Sequence, residues 1–137
     1  MSCSLTTDAV KSRTKTVTRR HVDTWQNLEA GDGLTLIEKG MGLPKGAKQV
    51  VLAEAEVVDV RVEPIGLVVD DVRYGRQEVA LEGLAHMTPD EFVAFWCQSH
   101  GVPTPDAAWR LGLDRPLCRR IEWRYIKQDA HREAPDA

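Results

Sequence analysis

Lys15-Thr16-Val17-Thr18-Arg19-Arg20 concentrates three cations and two hydroxyls in six residues of a chain whose formal net charge is −3. Such a segment suits an anion. It also holds the parts of a nucleophile, because a threonine hydroxyl attacks an amide carbonyl once a base takes its proton and a donor meets the developing oxyanion. Lys15 is that base only if its pKa falls well below the reference of about 10.4. Desolvation and the like charges of Arg13, Arg19 and Arg20 push it down, whereas a directly paired carboxylate pushes it back up. Geometry adds a second condition: on a regular strand, residues three apart face opposite sides, so Lys15 and Thr18 converge only if the segment turns or is helical. On a straight strand, Thr14, Thr16 and Thr18 share one face and Arg13, Lys15, Val17 and Arg19 the other, which suits backbone contacts better than catalysis.

Charge is unevenly spread along the chain. Residues 1–22 carry five cations against one acid, and residues 115–127 again five against one, while residues 23–114 carry seven against sixteen. If the two basic blocks meet in the fold they form one basic surface, the footprint expected for a phosphate-bearing partner such as RNA. Separate solvated faces are the competing reading.

The 137 residues, 42% of them hydrophobic, suit a single domain over 1–137 with its core at about 5–126 and a polar, disordered tail at 127–137. No apolar run approaches the roughly 20 residues of a membrane helix. Met1 to Thr7 lacks the features of a secretory signal, so a cytoplasmic location away from membranes is expected. Cys3, Cys97 and Cys118 are far apart with no histidine at ligand spacing, so neither a disulfide framework nor a metal or other cofactor is expected. His21, His86, His100 and His131 read as surface or cap residues.

These groups need elements to position them. Thr6-Thr7-Asp8 caps a short helical turn that runs into the basic hexad. Leu34–Ile37 reads as a strand, and the Gly- and Lys-rich Glu38–Lys48 as a mobile loop. Gln49–Val62 reads as a long, bulged strand ended by Pro64, with Ile65–Val69 as a short partner strand. Thr88-Pro89-Asp90-Glu91 is a capping box with proline at the first helical position; Phe92, Phe95 and Trp96 follow at helical spacing until Gly101. Thr104-Pro105-Asp106 starts a shorter helix closed by Gly112, and Leu117–Ile126 alternates as a strand with one apolar and one charged face. The sum predicts an α+β, mainly β domain, a small partly closed barrel with a few peripheral helices.

The order of the Lys15–Arg20 hexad, Gly31-Asp32, Glu82-Gly83, the aromatic helix Glu91–Trp96 and Arg120-Ile121-Glu122-Trp123-Arg124-Tyr125 resembles the ASCH family, over about Leu5 to Ile126. The resemblance implies a PUA-like β-barrel with a cleft at one mouth, binding RNA or a modified nucleoside or nucleotide. Some members are amidohydrolases that remove an acyl group from acetylated cytidine, and ribonuclease activity also occurs in the family. Carried over by motif, the catalytic residues are Lys15, Thr18 and Glu82, with Glu78 one helical turn from the last. The loop at 38–48 and the helices at 88–112 depart from the small amidohydrolases, so substrate identity does not transfer.

Three functions follow, in this order. A binding module holds phosphate through Lys15, Arg19, Arg20 and Arg120 or Arg124, with Thr16 beside them and Trp25 or Tyr74 stacking on a base. An amidohydrolase acts through Lys15, Thr18 and Glu82. A structural or regulatory interaction domain uses the hexad merely as a solvated turn. Trp96, Trp109 and Trp123 sit in apolar patterns and are expected in the core, leaving Trp25 as the exposed platform.

Overall fold

The computed structural model describes residues 1–39 and 44–126. The expected tail at 127–137 and the centre of the 38–48 loop therefore lie outside the described residues. A short 3₁₀ turn precedes α1 (Thr7–Lys11), followed by β1 (Val17–His21), β2 (Gly33–Ile37) and the long β3 (Val51–Pro64). Then come α2 (Leu67–Asp70), α3 (Val72–Leu81), α4 (Pro89–His100), α5 (Pro105–Arg110) and β4 (Leu117–Tyr125). The strands form one antiparallel sheet in the order β1-β4-β3-β2, curled into a half-barrel. The mainly-β α+β class agrees with the sequence reading at this level.

Local chemistry accounts for the ends of α4 and the start of α5. Thr88 accepts from the Glu91 backbone and Glu91 returns a bond to Thr88, the reciprocal pair that starts α4, and Gly101 closes it at φ 65°. Thr104 caps α5 through the Ala107 backbone. Ile65–Val69 departs from its expected strand: its β-branched residues enter the α2 turn because Ile65 and Val68 bury against Val79, Phe92 and Trp96. Between them, α3 closely follows α2. At Gly75 a Cβ would sit 1.9 Å from the Val68 carbonyl oxygen, so only glycine permits that approach.

Two apolar clusters result. One joins Val10 of α1 to Leu36, Ala55, Val57, Ile121 and Trp123 on the sheet. The other packs α2, α3 and α4 around Phe92, Trp96, Cys97 and Cys118. On β4, Cys118 belongs to the second and Ile121 to the first, with buried Arg120 between them. The expected split of β4 into an apolar and a charged face is thus replaced by burial that changes side between Arg120 and Ile121, next to the register shift that sets Val57 and Asp59 of β3 opposite Trp123 and Glu122. Trp109 is also not core. It is 85% exposed, whereas Trp96 and Trp123 are buried as expected.

Candidate functional site

The two basic blocks do meet, since β1 pairs with β4 in a register that sets Arg19 opposite Arg120 and Arg20 opposite Arg119. They do not form an open cationic face. Arg19 donates to Glu82 Oε2 at 3.0 Å, Glu63 Oε2 at 3.2 Å and Glu78 Oε1 at 2.6 Å, and Arg120 grips both oxygens of Glu78. Arg61 and the Tyr74 hydroxyl close the network on Glu63. Placing two guanidinium groups in the interior is tolerable only with such pairing. Burial by itself would raise the Glu78 pKa, but hydrogen bonds from Arg120 and Arg19 outweigh it and hold the carboxyl below its ordinary value.

Lys15 meets the convergence condition by lying outside the strand. Arg13 adopts a left-handed conformation at φ 67°, and the Thr14 and Lys15 backbone N–H groups both donate to the Ala9 carbonyl. The chain turns there before β1 begins at Val17. Gly83, at φ 84°, leaves the end of α3 so tightly that a Cβ would lie 2.7 Å from Ala9 Cβ and 3.2 Å from Lys15 Cβ. That approach lets Lys15 Nζ donate to the Glu82 carbonyl at 2.7 Å, the Val17 carbonyl at 2.9 Å and Glu82 Oε1 at 3.4 Å. Burial lowers the Lys15 pKa and remains the stronger influence, although the Glu82 charge raises it.

These residues line a cleft of about 210 Å³. Lys15, Thr18, Arg20 and Glu82 contribute its polar side, and Phe92, Phe95, Trp96 and His100 of α4 its aromatic side. The Thr18 residue is 5% exposed, and its hydroxyl has no hydrogen-bond partner among the described residues. Arg20 donates to the Ser2 carbonyl at 2.7 Å, but its Nε has no partner and no carboxylate pairs with it among the described residues. Burial lowers its pKa too. The cleft thus combines an unengaged hydroxyl, a buried lysine and, among the described residues, an arginine without a carboxylate partner beside an aromatic wall. Cys3 is on the cleft wall as well, with its thiol pushed up by burial, while Cys118 is pushed up to about 12 for the same reason.

The expected catalytic trio therefore converges. Of the expected binding residues, Arg19 and Arg20 reach the cleft lining. Thr16 instead ties α3 to β4 through its backbone, accepting from Trp123 and donating to Leu81. Tyr74 and Arg120 belong to the buried ion network, Arg124 is paired with Glu56 on the surface, and Trp25 stands on the β1–β2 loop at φ 56°. None of these four lines the cleft. Sequence reasoning assigned no residue of α4 to the site. Phe92, Phe95, Trp96 and Ser99 share a helical face, but that spacing signals core and cleft alike.

Fold and site together define a small half-barrel domain with a mixed polar and aromatic cleft between β1 and α4. No protein-family model matches the chain, and no curated protein matches it in sequence. Its fold is similar to the crystal structure of protein EF3133 from Enterococcus faecalis V583, which carries the family description DUF984. The likeness has a TM-score of 0.53 at 15% identity and covers 90% of this chain and 71% of the other, so it speaks to fold alone.

Proposed function

We propose that this is an ASCH/PUA-like domain whose cleft binds a modified nucleoside and hydrolyses an acyl group from its exocyclic amine. The fold is supported by the likeness to a DUF984 protein, a family of ASCH-like architecture. The observation that carries the reaction is the meeting of Lys15, Thr18 and Glu82 at one cleft, with the Thr18 hydroxyl unengaged.

When Lys15 is neutral it keeps two of its three hydrogen bonds, and the lone pair freed from the third, long contact to Glu82 Oε1, takes the Thr18 proton as Oγ1 attacks the acyl carbon. The Arg20 guanidinium, on the cleft lining, donates to the oxyanion. Collapse breaks the C–N bond, and Lys15 returns the proton to the departing amine; water then cleaves the threonine ester to release the acid. Arg19 holds the Glu82 carboxylate, which restrains its pull on Lys15 and keeps it beside the lysine ammonium when that forms.

The same unpaired Arg20 supports a second reading, a nucleotide of an RNA held by its phosphate. Incubating the protein with acylated nucleosides and short RNAs, while following amine release and salt-dependent binding, separates the two. Release of free nucleoside supports the hydrolase. RNA affinity that falls steeply with salt, without release, rejects it in favour of the binder.

A further inference from the structure

The α4 wall carries a group that the reaction above does not use. His100, the last residue of α4, lines the cleft and stacks on Trp96 with ring centroids 4.2 Å apart and planes 25° apart. Its Nδ1 lies 2.8 Å from the Trp96 carbonyl oxygen. A carbonyl oxygen only accepts, so Nδ1 carries a hydrogen, and in the neutral ring the lone pair is left on Nε2. Because Nδ1 turns back toward its own helix, Nε2 is directed away from it. No partner for Nε2 exists among the described residues.

The ring is held in that orientation from several sides. Trp96 Nε1 donates to the Arg19 carbonyl at 3.0 Å, tying α4 to β1. Gly101 ends the helix directly after His100, its N–H bonded back to α4 carbonyls. An aromatic acceptor of fixed direction therefore stands on one wall, while Thr18 and Arg20 stand on the other.

We propose that His100 is a ligand-positioning residue, whose Nε2 accepts a hydrogen bond from an N–H or hydroxyl of the nucleoside held in the cleft. This role rests on the nucleoside reading of the site. It places a specificity-determining contact on α4, within the 88–112 segment that departs from the small amidohydrolases.

Long-range proton–nitrogen NMR of the ligand-free protein tests the premise without any ligand. The Nδ1–H tautomer is expected, and an Nε2–H tautomer overturns the role. Calorimetry with cytidine and N4-acetylcytidine tests the contact. His100→Phe retains a ring against Trp96 but lacks the acceptor; its Kd should rise about five-fold, with KM rising in parallel and kcat within about two-fold. His100→Gln, which supplies an amide oxygen, should recover part of the loss. An unchanged Kd in His100→Phe, with wild-type protein binding, overturns the inference. Wild-type protein that binds cytidine but leaves the acetyl compound intact ends the hydrolase reading, while a five-fold Kd rise in His100→Phe still supports His100. A wild-type protein that binds neither compound overturns both.

Discussion

Replacing Glu78 by Gln removes one carboxylate from between two buried guanidinium groups while keeping the side chain's size. Arg19 retains Glu82 and Glu63, and Arg120 retains Glu122 and Asp59, but those last two are 39% and 44% exposed in their side chains. Arg120 is therefore left mainly with solvent-screened partners although only 4% of its own side chain is exposed. Breaking a buried pair typically costs about 3–5 kcal/mol. The surviving partners put this site at the lower end, about 3 kcal/mol. At a urea slope of about 2 kcal/mol/M, the midpoint should fall by roughly 1.5 M. Glu56→Gln supplies the contrast, because the Arg124 side chain in that pair is 69% exposed and the loss should stay under about 1 kcal/mol. Urea melts followed by circular dichroism decide the matter. Equal, small shifts for the two variants would refute the reasoning that this network bears on stability.

The acid limb of stability should share that origin. Glu78 is held below its ordinary pKa, so its contribution is complete above about 4.5 and lost as pH falls through the folded value; urea midpoints against pH should decline there, and Glu78→Gln should flatten the decline. Gly83→Ala should lower both stability, by about 1–3 kcal/mol, and turnover, because a Cβ there meets Ala9 and Lys15; a thermal melt and an amine-release assay would expose unchanged behaviour. Since burial depresses the Lys15 pKa, kcat should rise with pH through that lowered value and then level off, and a profile falling across the same range would exclude Lys15 as the base. Trp109→Ala should change stability by less than about 0.5 kcal/mol, against about 3–5 kcal/mol for Trp123→Ala, in the same urea assay.

What could be read in advance was local. The capping box at Thr88 and Glu91 is satisfied by residues three apart, so the start of α4 stood out in the sequence, as did the hydroxyl cap at Thr104. Helix α3 did not stand out: Val72–Leu81 contains Gly75 and gathers Val79, Ala80 and Leu81 at its end instead of spacing them along one face, and the close approach of Gly75 to Val68 exists only in the folded chain. Charge counting located the basic strands but could not anticipate that Glu63, Glu78 and Glu82, drawn from the acidic middle, would neutralise Arg19 and Arg120. The convergence of Lys15 and Thr18 required a turn, and that turn comes from Arg13 at φ 67°, a residue with no glycine or asparagine signal.

Amine release from N4-acetylcytidine by wild-type protein and by Thr18→Val bears most directly on the central claim. Valine preserves the branched shape at a residue only 5% exposed, so the fold should survive, as circular dichroism would confirm. The account predicts release by the wild type and a loss of more than about a thousand-fold in the variant. Equal release by a folded Thr18→Val protein would contradict it.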